Sequence, residues 1–121
     1  MNIFRNLIMV ALGGALGSVL RYALTLLAST MQVDAKWSTL VANVCGSFLI
    51  GFISPAIKSE YLLLWSVGLC GGFTTMSTFS SQSMQLFRDG QYGMGLLYIG
   101  ATIVLCLCMV ALGWYCREKM L

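Results

Sequence analysis

Histidine is absent from the 121 residues, proline occurs once, at Pro55, and only 9% of the side chains carry charge. Each scarcity excludes something. Without histidine there is neither an imidazole base nor an imidazole metal ligand. The four acids, Asp34, Glu60, Asp89 and Glu118, fall in expected loops or at span ends, which argues against a carrier that binds protons on a buried carboxylate. Serines abound, but no base can be set beside one and G-x-S-x-G is missing, so the chain is read as not an enzyme. The seven basic residues are scattered singly, which leaves no cluster for nucleic acid. The five cysteines (Cys45, Cys70, Cys106, Cys108, Cys116) include no C-x-x-C pair and read as small packing residues.

What fills the chain instead is apolar. At 59% hydrophobic, it has too little polar surface to solvate a globule, and its apolar runs are too long for strands. Backbone groups in hydrocarbon must bond within their own segment, so the expectation is a single all-α membrane domain over residues 1–121 with four transmembrane helices at about 4–30, 38–57, 61–87 and 92–116. The first run continues without a small-residue cleavage signature, and is read as a retained helix. It carries Gly13 and Gly17 on a face that Arg21 continues, a stripe that admits close approach by another helix. The second holds Asn43, Gly46, Ser47 and Gly51, with Pro55 near its end.

The third run is unlike a lipid-facing helix. It reaches Gly71-Gly72 and turns polar through Thr74, Thr75, Ser77, Thr78, Ser80, Ser81, Gln82 and Ser83. That pattern predicts a helix interrupted near Gly71–Thr75, with freed backbone groups lining a cavity or holding an ion. With four spans, Arg5, Lys58, Arg117 and Lys119 face one side and Lys36, Arg88 and Arg21 the other. So even a balance gives the chain no preferred orientation, and two opposed copies could pair as an antiparallel homodimer. Inside the spans stand Arg21, Asn43, the hydroxyl run, and Thr102 with Tyr98 and Cys106 on one face of the fourth. These donors, with no acid among them, favour a small anion. Phe73 and Phe79 flank the polar run, and an aromatic edge is partly positive.

The stretch from Gly68 to Ser80, GLCGGFTTMSTFS, resembles the signature of the Fluc (CrcB) family of fluoride channels. Gly13 to Gly17 through Arg21-Tyr22 is similar to that family's first-span motif, and Asn43 to Phe48 with Gly51 to its second. The resemblance implies a fluoride-selective channel in the cell (inner or plasma) membrane, multi-pass and surrounded by lipid. Such a channel exports fluoride passively from the cytoplasm, conferring fluoride resistance, as a dual-topology homodimer with a structural Na+ at its centre. By position, the backbone carbonyls of Gly71 and Thr74 would hold the sodium. Asn43, Phe79, Ser77, Thr78 and Thr102 would line the fluoride path, with Arg21 drawing anions into a vestibule. Met76 stands where the family usually has a second fluoride-facing phenylalanine, and the fourth span has a shorter polar track. The competing expectations are a small multidrug-type proton-coupled exporter, which would carry a glutamate in its first span, and a packing subunit of a larger complex.

Overall fold

The computed structural model describes residues 2–54 and 59–120, and every regular element among them is helical. Helix α1 (Ile3–Thr30) opens on Asn2, whose side-chain oxygen accepts from the amides of Phe4 at 3.0 Å and Arg5 at 3.3 Å. It ends where Gln32 takes a left-handed φ of 59° and the Val33 amide reaches back to the Ala28 carbonyl at 2.8 Å. Helix α2 (Ala35–Ile53) is capped by Asp34, whose carboxylate accepts from the Lys36 amide at 3.1 Å and its ammonium at 2.9 Å. Those bonds hold the Asp34 carboxyl below its usual range. The remainder of the second expected span, with Pro55 and Lys58, lies outside the described residues.

From Ser59 the chain forms one helical run of changing pitch: α3 (Ser59–Leu62), a π-helix over Leu63–Cys70, and α4 (Gly71–Phe73). Two extended residues follow, then α5 (Met76–Arg88). Gly90, at φ 79°, permits the turn in which the Gln91 amide closes on the Leu86 carbonyl at 2.8 Å. Helix α6 (Tyr92–Met120) completes the chain. By length and composition α1, α2 and α6 can each cross a membrane. Leu7, Leu12, Leu16 and Val19 on α1 are exposed, as residues bathed in lipid would be.

Glycines set the packing. A Cβ on Gly13 would meet the Gly68 Cα at 2.9 Å, and one on Gly17 would run into the Leu69 carbonyl and come within 2.7 Å of the Phe73 amide. The stripe expected on α1 is thus occupied by the π-helix and α4, running in the same direction as α1. Similarly, Gly51 of α2 lies against Val110 and Gly113 of α6 against Phe52, so these two helices are also parallel to each other. Between the halves, Phe79 and Leu86 of α5 bury their side chains against Tyr98, which is 1% exposed.

The interruption falls within the expected stretch but at its second half. Gly71 keeps helical angles (φ −62°, ψ −38°), while Thr74 (φ −84°, ψ 157°) and Thr75 (φ −149°, ψ 123°) are extended. Close approach explains the second glycine: a Cβ on Gly72 would lie 2.6 Å from the Gly14 carbonyl oxygen.

Candidate functional site

The break is built from two borrowed hydrogen bonds. In a continuous helix the Thr75 amide would close on the Gly71 carbonyl. Instead it donates to Oδ1 of Asn43 at 2.8 Å, and Nδ2 of Asn43 donates back to the Thr75 carbonyl at 3.1 Å. Asn43, 8% exposed on α2, therefore clamps Thr75 as a neighbouring strand would. One of its two N–H groups is spent in that clamp, leaving one for a ligand. Thr75 also starts α5: its hydroxyl accepts from the Thr78 amide at 3.2 Å and shares a hydrogen bond with the Ser77 hydroxyl at 3.3 Å. The Thr74 hydroxyl turns back to the Cys70 carbonyl at 3.0 Å.

Beside the break lies a cavity of about 550 Å³. Asn43, Gly46 and Ser47 reach it from α2, Ser66 and Cys70 from the π-helix, Met76 and Phe79 from α5, and Thr102 and Cys106 from α6; Gly71, Thr74 and Thr75 form the wall at the break. The hydroxyl of Thr102 is buried and has no hydrogen-bond partner among the described residues, an arrangement that costs about 1–3 kcal/mol unless a ligand or water completes it. Phe79 is buried, its ring centroid 5.3 Å from that of Tyr98 and tilted by 51°, whereas Met76 is 71% exposed. Tyr98 is fixed in turn by its hydroxyl, which donates to Gln82 Oε1 at 2.8 Å, and by the edge-on ring of Trp37 at 6.5 Å.

Of the residues singled out from sequence, Asn43, Gly71, Thr74, Met76, Phe79 and Thr102 thus share one cavity wall. Ser77, Thr78 and Arg21 do not line it. Ser77 is exposed in the first turn of α5, Thr78 lends its backbone amide to the Thr75 cap, and Arg21 on α1 donates its Nε–H to the Gly72 carbonyl at 3.4 Å. Thr75, Ser66 and Cys70 gain parts that sequence reasoning did not assign. An N-cap threonine ahead of a helix is a readable signal for the first. For the other two there is none, because a π-helix turns the face that a 3.6-residue period predicts.

Among the described residues no three His, Cys, Asp or Glu side chains group into a metal cluster. A cation here would rest on backbone oxygens, and the chain can offer them: the Gly71 carbonyl has lost its helical donor to Asn43, and the Thr74 carbonyl sits in extended backbone. Hard cations such as Na+ or Ca2+ suit such oxygens.

Residues 8–114 match a family model described as CrcB-like protein, Camphor Resistance (CrcB). The chain is 44% identical over 113 residues to a protein of Opitutus terrae, covering 86% of each chain. It is 42% identical over 113 residues to one of Thermus thermophilus (88% of this chain, 90% of the other). A protein of Methylobacterium radiotolerans is 37% identical over 118 residues (91% and 82%). All three carry the name fluoride-specific ion channel FluC.

Proposed function

The chain belongs to the CrcB family, and from that premise we propose that it is a multi-pass membrane protein working as a fluoride-specific ion channel, exporting fluoride passively from the cytoplasm. The observation that carries the chemistry is the donor set at the break: the second Asn43 N–H and the Thr102 hydroxyl, which has no partner among the described residues, face a cavity with no carboxylate among its described lining residues. Fluoride holds its water tightly, so a pore must replace that water with several modest donors and still let the ion leave. Neutral N–H and O–H groups do this without the trap that a fixed positive charge would set. The buried Phe79 ring can add the positive edge of its quadrupole. No acid lies on α1 for a proton-coupled exporter to use.

The assembly we infer is an antiparallel, dual-topology homodimer. Supporting it are the near-even split of basic residues and the open space at Gly71, where a Cβ would meet nothing among the described residues nearer than the Ser66 carbonyl at 3.9 Å. In that assembly the Gly71 and Thr74 carbonyls would hold a structural Na+, supplying an uncharged oxygen cage that ties the two breaks together. Ser77 and Thr78 would offer hydroxyls at the mouth of the path.

Purified protein in liposomes, followed with a fluoride electrode and then a chloride electrode, tests the reading. Fast fluoride efflux with scarcely any chloride efflux is expected. Equal rates, or movement that requires a pH gradient, would overturn it.

A further inference from the structure

The π-helix and α4 touch α1 backbone to backbone at Gly13 and Gly17, and Arg21 stands one turn beyond Gly17 on the same face. That register brings its side chain to the end of α4. There the Gly72 carbonyl should accept from the Met76 amide, four residues on, but the extended residues Thr74 and Thr75 intervene. A carbonyl left bare in an apolar setting costs roughly 1–3 kcal/mol. The Arg21 Nε–H fills the place, at 3.4 Å, and the bond is charge-assisted.

We propose that Arg21 is a positioning residue: its Nε–H replaces the helical donor that the interruption removes from the Gly72 carbonyl and so fixes the break that presents Asn43 and Thr75 to the cavity. The role rests on the channel reading above, and it differs from drawing anions by charge. The break is then held from two helices, by Arg21 of α1 at its start and by the Asn43 clamp of α2 at its end. Each replaces a main-chain bond with a side-chain bond, which leaves the backbone angles of Thr74 and Thr75 with little freedom.

Side-chain length separates donor from charge. Glutamine carries its amide nitrogen the same number of bonds from Cα as the Nε of arginine, without charge, while lysine keeps the charge but places it one bond farther out. The experiment compares the parent, Arg21→Gln, Arg21→Lys and Arg21→Leu in liposomes, by fluoride efflux and by hydrogen exchange of peptides spanning residues 74–77. The expected order of efflux is parent, then Gln, then Lys, with Leu lowest. Exchange in Arg21→Leu should be about tenfold faster than in the parent, the consequence of losing one charge-assisted bond, with Arg21→Gln closer to the parent than Arg21→Lys. Lysine matching the parent while glutamine falls to the level of leucine would overturn the proposal, as would equal behaviour of Gln and Lys, or exchange that Arg21→Leu leaves unchanged. If Arg21→Leu does not assemble, the Gln and Lys variants decide alone. A parent that passes no fluoride would refute the channel reading, and the exchange order would still decide the part played by Arg21.

Discussion

Asn43 is the residue on which most converges, because one carboxamide fixes Thr75 through two hydrogen bonds and has a second N–H that the proposed channel would present to the ion. Replacing it with leucine removes two hydrogen bonds, each worth roughly 1 kcal/mol net, and strands a buried amide. Asn43→Leu should therefore abolish fluoride efflux from liposomes while the protein still assembles. Efflux near the parent rate would reduce the asparagine to packing. The two positions of the expected ring pair are unequal in this chain. Phe79 is buried against Tyr98, and Met76 is mostly exposed. Phe79→Ile should cut flux severely, since it loses the ring edge and leaves Tyr98 without its neighbour. Met76→Phe should keep fluoride selectivity and change throughput modestly. A harmless Phe79→Ile in the same assay would rule out the ring-edge account. Much at this scale was legible: Asn43 stood out as the single carboxamide within the second span, and Phe79 as a ring beside the polar run. The clamp was not. No residue type announces that an asparagine on one helix will bond the backbone of another, thirty-two positions away.

At the scale of elements, the third segment owes its shape to a division of labour among neighbours. Gly72 lets α1 come close, Thr74 and Thr75 are extended and make the break, and the Thr75 hydroxyl starts α5. The sequence indicated the interruption through its paired glycines and hydroxyl run, yet both glycines stay helical and only Gly72 is pressed by α1. The π-helix of Leu63–Cys70 left no trace in composition, and its face against α1 differs from the one that a 3.6-residue period predicts. Gly17 gives this scale its prediction. Any side chain there would press on the Leu69 carbonyl and the Phe73 amide, which are main-chain atoms and cannot swing aside. Overpacking of this sort costs about 1–3 kcal/mol. Gly17→Ala should lower the thermal unfolding midpoint in detergent and depress flux with it, and an unchanged midpoint would mean that α1 does not pack as described.

For the whole molecule, α1 runs parallel to the π-helix and α4, α2 runs parallel to α6, and the break at Thr74 and Thr75 is held against Asn43 of α2. Hydropathy indicated helices that cross a bilayer, and α1, α2 and α6 are long and apolar enough to do so. In the proposed homodimer a second copy would lie against the break, and that assembly makes a specific demand. Among the described residues a Cβ on Gly71 would meet nothing nearer than the Ser66 carbonyl at 3.9 Å, so Gly71→Leu should place its bulk against the cavity and the proposed contact with another copy: the dimer should weaken on size exclusion with light scattering, while the helical content stays the same. An intact dimer with parental flux would remove Gly71 from the interface and from the sodium site. The central claim, a passive pore that prefers fluoride, is tested most directly by the reversal potential in a planar bilayer with fluoride on one side and an equal concentration of chloride on the other. The account predicts a potential driven strongly toward that of a fluoride-selective membrane and indifferent to a pH gradient; a reversal near zero, or one that follows the proton gradient, would contradict it.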